Sequence, residues 1–218
     1  MKKGYLILSG GGDVDISFKI DEKFFSHLMK GSKVLYIPVA LDRTMLGFEA
    51  CYDWFSALVS NHGTDKDIDF TMILEGDAFP NLDNYDAMYI GGGNTYKLLD
   101  YFHRKKLEEK IVKFIRKGGV IYGGSAGAMV LGKDIRTVEE ENDKNYIHSA
   151  GLNLIEGKSI ICHYVESLDD KIFEISKRIN SKIIALPEDA GLMLDSNGKI
   201  LETVGNVFVF DEENRKYI

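Results

Sequence analysis

"KGGVIYGGSAGAMVLG", residues 117–132, sets an apolar run, a Gly-Gly-Ser-Ala-Gly turn and a second apolar run in immediate succession. Strand, sharp turn and helix is the order this composition favours, because the glycines permit the turn and the flanking runs suit one strand and a short helix. The turn fits G-x-S-x-G, in which small neighbours let a strand pass abruptly into a helix and leave the serine oxygen exposed. The helix N-terminus beneath it favours negative charge, and the backbone N–H of Ala126 is placed to donate to an oxyanion. A glycine-rich turn in which Ser125 only caps the helix explains the same five residues equally well. The rest of the chain has to separate the two.

Upstream of the turn, short apolar runs bounded by Gly, Pro or Asp recur at 4–9, 33–39, 69–74 and 85–91, with 119–124 leading into the turn itself. They are continuous rather than alternating, as expected of strands covered on both faces. Helix-length segments lie between them at 16–30, 45–61 and 95–117, the last as one helix or two. Leu107, Ile111, Val112, Phe114 and Ile115 recur at helical spacing before Gly118 and Gly119 end the pattern. This alternation predicts an α/β fold, with a mostly parallel sheet between helices on both faces. Beyond Ser125, residues 126–132 read as a short helix and 133–145 as a polar, exposed excursion. Residues 158–165 and 182–187 read as strands around a helix at 169–179. The C-terminal stretch reads as an antiparallel hairpin turning at Asn197-Gly198. No linker, repeat or low-complexity tract interrupts the chain, so one domain over residues 1–218 is expected.

Bulk properties remove several classes of function. The net charge of −7 and the lack of a Lys/Arg block argue against nucleic acid as a partner. Cys51 and Cys162 form no CxxC or Cys/His pattern, so neither a zinc site nor a disulfide framework is expected. No run approaches 18 apolar residues, and "MKKGYLILSGGG" is broken by glycine too soon for a signal peptide. The expectation is a cytoplasmic protein that does not engage membranes.

A second glycine cluster, "YIGGGNTYKLL" at 89–99, also runs from a strand end into a helix. Its backbone can approach a ligand closely and form an anion-binding hollow. It is not G-x-G-x-x-G, and no P-loop lysine follows it. An oxyanion donor at Gly93, opposite Ser125, accounts for both clusters with one mechanism. A serine nucleophile also needs a base. His27, His62 and His103 fall on or beside helices, where a surface role is the default, and His148 falls in the polar excursion. His163 closes the apolar run "SIIC" and so emerges at a strand end. Glu188 and Asp189 follow the strand at 182–187, and either can orient the base or simply be an exposed turn residue. The order Ser–His–acid differs from the Ser–acid–His order of the α/β-hydrolases.

Together "GGGNT", "GGSAGA", the strand-end His163 and "LPE" resemble the peptidase E (aspartyl dipeptidase) family of serine peptidases, relatives of the class I glutamine amidotransferase fold. The resemblance covers nearly the whole chain. It implies a three-layer, flavodoxin-like α/β sandwich, with Ser125 as nucleophile, His163 as general base and Glu188 as the orienting carboxylate. It also implies Gly93 and Ala126 as oxyanion donors and places Gly92, Asn94 and Thr95 of the glycine motif at the substrate. Arg136 in "DIRT" matches a family position and is a candidate substrate contact, although a surface salt bridge accounts for it as well. The expected partner is a small peptide, with a homodimer left open, and no cofactor or metal is called for. Aspartyl dipeptidases carry an arginine in a longer loop after the histidine, which pairs with the substrate's N-terminal aspartate. Here "HYVESLDDKIFEI" is short and acidic, with Lys171 its only basic residue. Two other classes stay open: an amidase or amidotransferase-like acyl transfer, and a non-catalytic member that binds a small ligand.

Overall fold

The structure, a computed structural model, describes residues 3–42, 47–138, 142, 145–212 and 214–218. In chain order the first half holds β1 (Tyr5–Ser9), α1 (Phe18–Ser26), β2 (Lys33–Ile37), α2 (Phe48–His62), β3 (Asp69–Met72), β4 (Ala87–Ile90), α3 (Thr95–Lys105) and α4 (Glu108–Arg116). The second half holds β5 (Val120–Gly124), α5 (Ala126–Leu131), β6 (Ser159–Ile161), α6 (Asp169–Ile179), β7 (Ile183–Ala185), β8 (Gly191–Asp195), β9 (Ile200–Val204), β10 (Phe208–Phe210) and β11 (Arg215–Tyr217).

The central sheet has the order β3-β2-β4-β5-β1-β8-β9. Its first five strands are parallel, and β8 and β9 add an antiparallel hairpin at one edge. Both faces are covered, which is why the strands read as continuous apolar runs. Successive side chains nevertheless sort cleanly to opposite faces. Leu35, Ile37, Met88, Ile90 and Ile121 pack with α3, α4 and α5. Val34, Tyr36, Tyr89, Val120 and Tyr122 pack with Phe24 and Phe25 of α1 and Phe55 and Leu58 of α2. Each such side chain contributes roughly 1.5–3 kcal/mol on burial. That burial outweighs the modest helix propensity of an α2 rich in aromatic residues.

The helical segment at 95–117 divides in two. Lys106 takes the left-handed conformation at φ 53°, and its N–H and that of Leu107 donate to the carbonyls of His103 and Phe102, each at 3.0 Å. This is the Schellman pattern, closed by the fully buried Leu107. A lysine stands where glycine usually signals such an end, so the break has no composition cue. The Asn197-Gly198 hairpin forms as expected, with Gly198 at φ 86°.

The strands at 158–165 and 182–187 are present in shortened form, but they leave the central sheet. β6 and β7 pair in parallel within a second sheet of order β11-β10-β7-β6. That sheet packs on Ile172, Ile175 and Ile179 of α6. The start of the expected exposed excursion is corrected. Ile135 and Thr137 are fully buried, and the Thr137 hydroxyl donates to the Ile160 carbonyl at 2.5 Å. Residues 139–141 and 143–144 of that stretch lie outside the described residues. Among the described residues, no helix is long and apolar enough to cross a membrane.

Candidate active site

Strands β4, β5 and β1 are neighbours, with Ile90 beside Gly123 and Ser9 beside Gly124. Three glycine-rich turns therefore leave the same carboxyl edge side by side: Gly10–Gly12, Gly91–Gly93 and Gly123–Gly127. Carboxyl edges of parallel strands are where open α/β sheets build their sites. At the middle turn Ser125 has φ 48° and ψ −113°, outside the ordinary basins for a non-glycine residue. A Cβ on Gly123 would stand 2.7 Å from the Gly127 carbonyl oxygen, and one on Gly127 would collide with the Ile90 carbonyl. Both glycines are thus required for strand and helix to meet so abruptly. The Ser125 carbonyl accepts from the N–H groups of Ala128 and Met129, at 2.8 and 3.0 Å, so its backbone opens α5. Its side chain does not cap that helix.

The hydroxyl instead meets His163. Ser125 Oγ lies 2.9 Å from His163 Nε2, and His163 Nδ1 lies 2.9 Å from Glu188 Oε1. A hydroxyl that donates to Nε2 requires the ring proton on Nδ1, where it donates to the carboxylate. It is the Glu188 carboxylate that faces the imidazole, which separates it from its neighbour Asp189. The second sheet makes this arrangement: His163 follows β6 and Glu188 follows β7. The His163 N–H donates to the Gly10 carbonyl at 3.1 Å, and the Gly12 N–H donates to the Glu188 carbonyl at 3.3 Å. His163 and Glu188 side chains are 49% and 50% exposed, so the arrangement opens to solvent on one side.

The other predicted positions divide. Gly92 adjoins the serine, since a Cβ there would stand 3.2 Å from Ser125 Cβ and 3.7 Å from its Oγ. Gly93 has φ 126°, and its missing side chain makes room for the Ala40 carbonyl. Among the described residues, no acceptor takes the amide of Gly92, Gly93 or Ala126. Asn94 caps α3, its Oδ1 accepting from the Lys97 N–H at 2.8 Å. Thr95 is fully buried, its hydroxyl 4.0 Å from Met129 Sδ. Arg136 is clasped by Asp134, with Nε 3.0 Å from both carboxylate oxygens and Nη2 2.5 Å from one. That hydrogen bonding holds its guanidinium above its ordinary pKa. The side chains of Asn94, Thr95 and Arg136 are thus engaged in local structure, and none of the three lines the cavity beside Ser125.

Two families of residues escaped the sequence reading. Gly11, at φ 102°, lies against the serine and the imidazole: a Cβ there would stand 2.7 Å from both Ser125 Cβ and His163 Cε1. The signal was the "SGGG" that ends β1. Arg215 of β11 reaches the acidic segment after His163, its Nη1 2.7 Å from Asp169 Oδ2 and 3.0 Å from the Tyr164 hydroxyl. Arg215 thus adds a second cation to a segment whose only basic residue is Lys171. Among the described residues, no three His, Cys, Asp or Glu side chains converge to hold a metal ion.

The model of peptidase family S51 matches residues 5–208. The chain belongs to peptidase family S51. It is 33% identical over 114 residues to peptidase E of Streptomyces coelicolor, a match covering 52% of this chain and 44% of that protein. The match thus spans under half the length of that relative. It is 24% identical over 227 residues to peptidase E of Actinobacillus pleuropneumoniae, covering 97% of this chain and 94% of the relative. Among solved structures, a Listeria monocytogenes protein provisionally classed with peptidase E superposes with a TM-score of 0.68 at 20% identity, covering 99% of both chains. A peptidase from an acI-B1 actinobacterium gives 0.66 at 18% identity, covering 99% of this chain and 94% of the other. At those identities the superpositions establish the fold. Membership of S51 makes the protein a peptidase, a hydrolase of peptide bonds.

Proposed function

We propose that this S51 peptidase cleaves short peptides through an acyl-enzyme on Ser125, with His163 as general base and Glu188 as the carboxylate that orients it. The observation that carries this reading is the unbroken relay of two 2.9 Å contacts from Ser125 Oγ through the imidazole to Glu188. The strained backbone at Ser125 supports it, since such strain collects where function needs it. So does a serine side chain that leaves the helix uncapped in order to face the histidine.

In the mechanism, His163 Nε2 takes the hydroxyl proton as Ser125 Oγ attacks the scissile carbonyl. Glu188 holds the Nδ1–H tautomer and stabilises the imidazolium that forms. The negative charge developing on the carbonyl oxygen is met by the amides of Gly93 and Ala126, the latter at the N-terminus of α5. Each such donor is worth roughly a hundred- to a thousand-fold in rate. The imidazolium then protonates the leaving amine. A water, deprotonated by the same imidazole, attacks the ester, and the imidazolium returns that proton to Ser125 Oγ as the acid is released. Small peptides suit a site open to solvent, and relatives that carry the name peptidase E point to dipeptides. The test is Ser125→Ala. Dipeptide hydrolysis is expected to fall by roughly 10⁴-fold or more, with the circular dichroism spectrum preserved. A variant as active as the parent would remove Ser125 from the chemistry.

A further inference from the structure

A cavity of about 280 Å³ opens beside Ser125, bounded at the serine by Gly92, Gly124, Gly11 and Gly12. Its further walls include Tyr36, Trp54, Tyr89 and Tyr122, with Leu41 and Cys51. These rings hold one another in place. Tyr89 stacks on Tyr122 with centroids 4.2 Å apart, Tyr36 meets Tyr89 edge-on at 5.9 Å, and Trp54 meets Tyr36 at 6.0 Å and Tyr89 at 5.9 Å. The pocket is therefore built before any ligand arrives. Small-molecule sites span roughly 300–1,000 Å³, so this one has room for a single large side chain.

Two polar groups of the wall are turned elsewhere. The Tyr89 hydroxyl donates to Asp21 Oδ1 at 3.4 Å, and the Ser17 hydroxyl donates to Asp21 Oδ2 at 2.7 Å. Asp21 itself is 1% exposed and sits behind that wall. Burial raises its carboxyl above the ordinary value and raises the Tyr89 and Tyr122 phenols well above theirs. The two phenols therefore stay uncharged at neutral pH. Among the described residues, no Lys, Arg or His lines the cavity. A carboxylate entering it would lose its hydration, find no counter-charge among the described residues that line it and meet Asp21 behind the aromatic wall. An aromatic or branched apolar side chain would meet ring faces.

We propose that this pocket receives the side chain of the residue bearing the scissile carbonyl, and that it selects a bulky uncharged one of the phenylalanine, tyrosine or leucine class over aspartate. The proposal rests on Ser125 as nucleophile, because the pocket has meaning as a subsite only next to the attacking atom. The full chain is assayed on Phe-Ala, Leu-Ala, Ala-Ala, Asp-Ala and Ala-Phe by release of free amine. Phe-Ala or Leu-Ala should exceed both Ala-Ala and Asp-Ala in kcat/KM by about ten-fold or more, the scale on which apolar pockets discriminate. Trp54→Ala should lower the Phe-Ala to Ala-Ala ratio by about ten-fold. Ala50→Phe, which adds a ring to the cavity lining without removing one, should lower the same ratio and covers the case in which the tryptophan variant fails to fold. A flat profile, a preference for Asp-Ala, or Ala-Phe cleaved faster than Phe-Ala overturns the subsite. Labelling of Ser125 by a fluorophosphonate keeps the nucleophile assignment standing in each of those outcomes. Absence of both label and hydrolysis overturns the two together.

Discussion

A methyl group on Gly11 would lie 2.7 Å from Ser125 Cβ and 2.8 Å from His163 Nε2, between the two groups that must exchange a proton. Gly11→Ala is therefore expected to part them while leaving the aromatic walls of the pocket in place. Its φ of 102° adds strain of about 1–3 kcal/mol for any residue with a side chain. The expected outcome is a fall in kcat of roughly a hundred-fold at nearly constant KM, the cost of a displacement of about an ångström in a catalytic geometry. Steady-state kinetics on a single dipeptide checks this, and rates within two-fold of the parent would show that the close packing does not govern the serine. The "SGGG" run was visible in the sequence as a break after β1, but nothing in its spacing says which glycine touches the serine. Ser125, His163 and Glu188 were legible because each ends an apolar run. Asn94 and Thr95 are expected at the substrate because they lie in the glycine motif, and Arg136 either there or in a surface salt bridge. Their side chains are occupied by a helix cap, a buried contact with methionine sulfur and a clasp with Asp134.

Among the elements, α1 carries an unusual burden, since its buried face includes the carboxyl of Asp21 beneath β4 and β5. Burial raises that carboxyl above its ordinary 3.8, with the hydroxyls of Ser17, Tyr122 and Tyr89 only partly offsetting it. A carboxyl whose folded pKa is raised contributes stability that is fully present below the unfolded pKa and lost as pH rises through the folded one. Removing the titration should reveal that slope. The melting temperature of Asp21→Asn minus that of the parent is expected to become more positive between pH 4 and pH 8, because only the parent meets the cost of ionising this group. A difference that stays constant across that range would show that Asp21 does not titrate against the fold. The helix itself was legible as a helix-length segment between two apolar runs, but the burial of its aspartate was not, because partners for it come from two strands far away in sequence. The point at which α3 gives way to α4 was hidden for a simpler reason: Lys106 adopts a conformation that composition assigns to glycine.

At the scale of the molecule, the parallel sheet and its carboxyl edge follow from the alternation of apolar runs with helical segments. The site needed two facts that this alternation does not contain. One is that β1, β4 and β5 are neighbours, which brings three glycine turns together. The other is that β6 and β7 form a separate sheet, whose ends carry His163 and Glu188 back over the first. The aromatic pocket was less legible still, because Tyr36, Trp54, Tyr89 and Tyr122 come from four elements and read individually as core. All of this geometry converges on one atom, Ser125 Oγ, and the most direct test is made there. The purified chain is incubated with a fluorophosphonate, digested and mapped by mass spectrometry. A single covalent adduct on the peptide containing Ser125, with peptidase activity lost in step with labelling, is the predicted result. Peptidase activity that survives with Ser125 unlabelled, or an adduct on a different residue, would contradict it.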